Sequence, residues 1–275
     1  MQTAIDITNR FPPTRERTVL LELFRVVRNL QTAGIETVIC GGWVPFLKQL
    51  ARESETAHSM SLDIDLLFRQ AARERDAIDR IRTLLVGNME FERSRTHSFR
   101  YEKTVEGNAV QLDLLVDLPR TDNDEPVRRI QGISSSLDLC LVDGAEDLAG
   151  HVETIRLSWL EDGQANVCDI TVPDPVGFLM LKAEVCRYRE TTKDPYDIYY
   201  YCRFSEDPGF IREKLEASIG EPAVRRTVDA LQRMFQYEDS KWVELTLDHM
   251  NISGEERDRE ARFIARSVGR VVDGI

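Results

Sequence analysis

Asp63 and Asp65 flank Ile64 inside the apolar segment Leu62 to Phe68. Side chains two apart on a strand point to one face, so the two carboxylates stand side by side, about 5 to 7 Å apart, while Ile64 turns to the core. The apolar neighbours mark the strand as largely buried, where two like charges are costly unless a cation lies between them. Oxygen donors of this kind suit a hard divalent cation, Mg²⁺ or Mn²⁺. A second acidic strand runs from Val110 to Asp117; Asp113 and Asp117 share a face with Leu115, and Leu112, Leu114 and Val116 take the other. Paired beside the first strand, it brings Asp113 into a three-carboxylate cluster, the kind that binds metals bridging a nucleoside triphosphate and activates an attacking hydroxyl for in-line displacement at phosphorus. Gly41-Gly42 lies between a β-branched stretch and a helical pattern, a turn whose backbone N–H groups can hold phosphate.

The elements that must position these residues are legible from apolar spacing. Thr14 to Thr32 repeats Val19, Leu20, Leu23, Val26, Val27 and Leu30 at helical intervals and stops at Gly34. Ile35 to Cys40 is a strand, Trp43 to Leu50 a helix, Ala51 to Met60 a loop and Ser61 to Phe68 the first acidic strand. Ala71 to Val86 is amphipathic, and strands follow near Met89 to Arg93, Ser98 to Lys103 and Val110 to Asp117. Thr121 to Pro126 is a turn-rich acidic loop, and Thr154 to Leu160 with Asn166 to Val172 flank Asp162-Gly163 as a hairpin. From Asp174 the pattern is helical, with Asp-Pro start signals at Asp174-Pro175 and Asp194-Pro195 and breaks at Asp207-Pro208-Gly209, Gly220 to Pro222 and Ser253-Gly254. The expected fold class is α/β (α+β): a mixed-sheet core with an N-terminal helix over residues 1–173, then a helical domain over 174–275.

The order Gly41-Gly42-Trp43, Asp63-x-Asp65, then Asp113 on a later strand resembles the polymerase-β-type nucleotidyltransferases, marked by a Gly-Gly or Gly-Ser turn, a D-x-D pair and a third Asp. Gly-Gly-Trp is similar to the aminoglycoside branch. Leu181-Lys182-Ala183-Glu184, Arg187 and Lys193-Asp194-x-x-Asp197 resemble the AbiEii/AbiGii-like abortive-infection toxins, and the resemblance spans Thr37 to Arg203. It implies Gly41 and Gly42 at the phosphate turn, Asp63 and Asp65 as metal ligands, Asp113 as a metal ligand that promotes deprotonation of the acceptor, and Lys182 on the triphosphate. Asp194 and Asp197 fall in the toxin-type C-terminal motif, with Asp197 at the nucleotide site. Trp43 stands where many relatives carry Ser or Thr, a hydroxyl that Ser59 or Ser61 could replace. The implied donor is an NTP with Mg²⁺ or Mn²⁺; the implied acceptor is an RNA such as a tRNA end, with an antitoxin protein as partner. A small hydroxylated acceptor, or a non-catalytic nucleotide-binding protein that keeps the fold, are the alternatives.

Plainer readings stand beside these. Asp63 and Asp65 could be a solvated edge pair, Gly41-Gly42 a simple tight turn, and Asp113 a half-exposed surface residue. Lys182 could snorkel from its apolar helix, Asp194 could be an N-cap, and Asp197 could brace Arg187 or Lys193. Tyr196, Tyr199, Tyr200 and Tyr201 read as packing. His97 is an unassigned base candidate, and Arg93, Arg95 and Arg100 form a candidate basic strip for phosphates.

Composition bounds the rest. The chain has 275 residues, 42% hydrophobic and 31% charged, enough for a full core. With 36 Lys and Arg against 48 Asp and Glu, the formal charge of -12 opposes nonspecific binding to nucleic acid or anionic membrane. Apolar runs fall far short of the roughly 20 residues of a membrane span, the N-terminus lacks a signal-peptide core, and the five scattered cysteines read as reduced, mostly buried thiols without a zinc site. The expectation is a cytoplasmic protein with no membrane partner.

Overall fold

Strand alternation and helical periodicity assemble here into two sheets and a run of C-terminal helices, a mixed α/β fold. The computed structural model describes residues 4–10, 14–52, 63–68, 75–117, 140–142, 145–161 and 163–275, with backbone alone at 14, 52, 75–78, 117, 140–142, 146 and 149. The chain divides into two compact units: Met1–Val44 with Ser59–Pro173, and Pro45–His58 with Asp174–Ile275.

In the first unit, α1 (Thr14–Thr32) buries Val19, Leu20, Leu23, Phe24, Val26, Val27 and Leu30 completely or nearly so. A fully buried side chain of this size contributes about 1.5–3 kcal/mol, which is why the apolar stripe rather than helix propensity decides that the segment is a helix. The larger sheet runs β2 (Thr37–Cys40), β3 (Asp63–Phe68), β6 (Asn108–Asp117), β5 (Arg100–Val105), β4 (Glu92–Arg93), with β7 (Cys140–Val142) pairing with β6 where β5 has ended. β2 is antiparallel to β3, β3 parallel to β6, and β6 antiparallel to β5. The smaller sheet joins β1 (Ile5–Asp6) to the hairpin of β8 (Val152–Glu161) and β9 (Gln164–Pro173).

One face of the larger sheet is core. Ile64, Leu66, Leu112, Leu114 and Val116 are fully buried, and Tyr101 joins them opposite Leu112. Lys103, on the Tyr101 side of β5, donates to Glu22 of α1 at 2.9 Å, so α1 covers this face. The alternate residues, Asp63, Asp65, Gln111, Asp113, Arg100 and Glu102, occupy the other face.

In the second unit, α4 (Pro175–Tyr188) starts as the sequence indicates, Asp174 Oδ1 accepting from the Gly177 N–H at 2.9 Å. It is followed by α5 (Lys193–Tyr200), α6 (Pro208–Ser218), α7 (Pro222–Phe235), α8 (Lys241–His249) and α9 (Glu255–Val272). Tyr196, Tyr199, Tyr200 and Tyr201 are buried, with Phe178 stacked on Tyr201 at 4.2 Å.

Several expectations need correction. α5 begins one residue before Asp194, so Asp194 lies inside the first turn and the cap position is Thr192. The amphipathic stretch ending at Val86 is helical over α3 (Arg75–Arg82) and then widens to π-helical turns, Thr83–Asn88. The break before α8 and the short strands β1 and β7 have no counterpart among the sequence expectations. Of the loop expected at Ala51 to Met60, Ala51 and Arg52 belong to α2 (Trp43–Arg52), and residues 53–60 lie outside the described residues, as do Ser61 and Thr121 to Pro126. Cys40, Cys168, Cys186 and Cys202 are buried free thiols. Among the described residues no helix is long and apolar enough to cross a membrane.

Candidate functional site

Register builds the acidic face. Asp65 of β3 pairs with Asp113 of β6, and Asp63 pairs with Gln111 one step along the same face. Side chains directly opposite on neighbouring strands lie about 5 Å apart, so three carboxylates share one patch. Asp113 is nearly buried, its side chain 9% exposed, whereas the Asp63 side chain is 33% exposed.

Gly41-Gly42 closes one side of the patch. Gly41 has φ +68, a left-handed conformation that suits glycine, and a Cβ built on it would lie 1.9 Å from Asp65 Oδ2. The carboxylate of Asp65 therefore sits where any larger residue at 41 would be. Trp43 is fully buried, and its indole N–H donates to the Asp63 backbone carbonyl at 3.0 Å. Trp43 thus ties the glycine turn to Asp63, the first strand residue of the acidic face.

The feature that sequence reasoning missed is the partner of Arg100. Its Nε donates to Asp113 Oδ1 at 2.6 Å and its Nη2 to Asp113 Oδ2 at 2.7 Å. Nη2 also reaches Asp63 Oδ2 at 3.3 Å, and Nη1 reaches Gln111 Oε1 at 3.4 Å. The hydrogen bond to Asp113 holds the guanidinium pKa above its ordinary value, outweighing partial burial, with the charges of Asp113, Asp63 and Asp65 adding to it. Arg100 is therefore turned onto the carboxylates rather than forming a strip with Arg93, which lies opposite Tyr101 on the other face of β5 and donates to the Ser98 carbonyl at 3.2 Å. A signal was available: Val105 pairs with Asn108 across the turn Glu106-Gly107, and counting back along the two strands sets Arg100 against Asp113.

The donor set fits a hard divalent cation by chemistry, three carboxylates on adjacent strands, with a guanidinium standing in as the cation they attract. In the geometry shown, no group of three His, Cys, Asp or Glu among the described residues is gathered closely enough to hold a metal.

The other named residues are placed as follows. Gly42 is buried at the turn and Gly41 half-buried. Lys182 of α4 is 6% exposed, and its Nζ lies 2.9 Å from Asp194 Oδ1 and 2.6 Å from Asp197 Oδ2. Asp194 also accepts from Arg189 Nε at 2.8 Å and from the Thr191 hydroxyl. Asp197 thus pairs with Lys182, where the sequence suggests Arg187 or Lys193; Arg187 pairs with Glu184 at 2.9 Å. His97 contacts Thr96 and Phe99.

No protein-family model matches the chain, and no curated protein matches it. Among solved structures it is similar to an antigenic nucleotidyltransferase-like protein from Paracoccidioides brasiliensis, with 13% identity, a TM-score of 0.40, and coverage of 81% of this chain and 90% of that one. It is also similar to the STING-associated CdnE c-di-GMP synthase from Capnocytophaga granulosa, with 14% identity, a TM-score of 0.28, and coverage of 93% of this chain and 79% of that one.

Proposed function

We propose that the protein is a metal-dependent nucleotidyltransferase of the polymerase-β type, moving a nucleoside monophosphate from an NTP to an acceptor hydroxyl. The observation that carries the reading is the in-register placement of Asp65 and Asp113, with Asp63 beside them and the Gly41 backbone against Asp65. A divalent cation, Mg²⁺ or Mn²⁺, held by Asp63, Asp65 and Asp113 would offset the triphosphate charge and lower the pKa of the acceptor hydroxyl. The Gly41-Gly42 turn presents backbone to the phosphates, and Asp113, the most buried of the three carboxylates, promotes removal of the acceptor proton. The acceptor oxygen bonds to the α-phosphorus, the α–β bridging bond breaks, and pyrophosphate leaves with the electron pair of that bond.

Lys182, Asp194 and Asp197 we assign to the internal frame of the helical unit, because the ammonium is buried on two carboxylates. Their order in the chain still supports the toxin-like branch, and with it an RNA acceptor such as a tRNA end and an antitoxin partner. The net charge of -12 favours a small hydroxylated acceptor instead. A third reading, a fold-retaining protein without catalysis, is favoured by the guanidinium of Arg100 on Asp113. Incubation with labelled NTPs, Mg²⁺ and either total tRNA or an aminoglycoside panel separates the acceptors, and Asp63→Ala with Asp65→Ala abolishes labelling in a folded protein. Undiminished transfer by that double variant rejects the mechanism; NTP binding without pyrophosphate release selects the non-catalytic reading.

A further inference from the structure

We propose that Arg100 is a displaceable counter-ion built into the acidic face, which holds Asp113 and Asp63 and must release them before a divalent cation can bind. The inference rests on the reading of this face as a metal site. Its basis is the geometry of the guanidinium. Both oxygens of Asp113 are taken by the Arg100 fork, at 2.6 and 2.7 Å, and the same Nη2 extends to Asp63 Oδ2 on the far side of β6. Charge-assisted bidentate bonds of this kind are among the stronger polar contacts in proteins, so a metal drawn to Asp113 must compete with them. A guanidinium and a divalent cation at contact distance on the same oxygens repel each other and compete for the lone pairs between them, so each weakens the binding of the other.

Release is feasible because the fork is not sealed. The Arg100 side chain is 19% exposed and Asp63 33%, so the guanidinium has a route to water. A guanidinium also has a feature that a hydrophobic plug lacks: while it occupies the face it removes the repulsion among Asp63, Asp65 and Asp113, which otherwise opposes folding. Arg100 is thus a positioning residue that keeps the carboxylates aligned and sets the threshold for metal entry.

The test is Mn²⁺ binding to the full chain, followed by the electron paramagnetic resonance signal of free Mn²⁺, for the wild type, Arg100→Gln, Arg100→Lys and Arg100→Gln with Asp113→Asn. Arg100→Gln binds Mn²⁺ at least about tenfold more tightly than wild type, a difference of about 1.4 kcal/mol. Arg100→Lys falls between them, because an ammonium cannot make the two-pronged contact. Adding Asp113→Asn removes the gain. Should Arg100→Gln fail to fold by circular dichroism, the several-fold gain in Arg100→Lys carries the test. Equal Mn²⁺ affinity in wild type and the Arg100 variants overturns the displacement proposal and leaves the metal site standing. No binding in any variant overturns the metal reading of the face and the proposal with it.

Discussion

Each of the two units sets a cation among aspartates, and the two arrangements differ in how they are enclosed. In the helical unit Lys182 meets Asp194 and Asp197 with side chains 8%, 2% and 0% exposed, and Arg189 and Thr191 complete the shell of Asp194. On the sheet, Arg100 meets Asp113 and Asp63 on a face where Asp63 stays one-third exposed. A sealed pair is costly to break because the charge left behind has no water to turn to, whereas a cation at the edge of solvent can exchange for another. On the proposals made above, the same pairing chemistry serves a frame in one unit and an exchangeable site in the other.

The largest effect that would break this comparison is on stability. Lys182→Met strips Asp194 and Asp197 of their shared ammonium and lowers unfolding free energy by about 3–5 kcal/mol. Denaturant titration measures it, and Arg100→Gln measured alongside loses only about 1–2 kcal/mol. Equal losses would erase the distinction between frame and site. The distinction also has a pH signature. Burial alone would raise the Asp194 pKa, but Lys182 and Arg189 outweigh it and hold the carboxyl well below its ordinary 3.8. Its contribution is therefore complete above about pH 4 and is lost as pH falls. Burial alone would lower the Lys182 pKa, but Asp197 and Asp194 hold it above the ordinary 10.5, so its contribution is complete below that value and is lost as pH rises. Unfolding midpoints against pH show both flanks in wild type, and Lys182→Met flattens the alkaline one; an unaltered alkaline flank would assign it to other groups.

Next in size is Gly41→Ala. A methyl group 1.9 Å from Asp65 Oδ2, on a residue with φ +68, forces the carboxylate aside at a cost of about 1–3 kcal/mol. Nucleotidyl transfer falls far more than stability does, and a variant with wild-type transfer would detach the glycine turn from the site. The smallest effect is Trp43→Phe, which keeps the buried ring and removes the indole donor to the Asp63 carbonyl, costing about 1 kcal/mol in thermal unfolding. A midpoint unchanged from wild type would show that this bond does not anchor the start of β3.

What the sequence could reveal follows the range over which each interaction acts. The bounds of α1 match its apolar spacing, and Asp174-Pro175 starts α4, because stripe and cap are set within a few residues. The pairing of β3 with β6 was inferable from two buried acidic strands. Asp194 misled because the same Asp-Pro signature lies beside a buried lysine twelve residues upstream, and that tertiary pair won over the local cap. β1 and β7, only two and three residues long, exist through distant partners and leave no pattern of their own. Arg100 escaped because its partner depends on hairpin register rather than on neighbours in the chain.

The most direct test is a crystal structure of the protein with Mn²⁺ and a non-hydrolysable NTP analogue, read by anomalous scattering. The account predicts a manganese peak bounded by Asp63, Asp65 and Asp113, with the Arg100 guanidinium withdrawn from Asp113. Arg100 still forked on Asp113, with manganese bound to the nucleotide away from all three carboxylates, would contradict it.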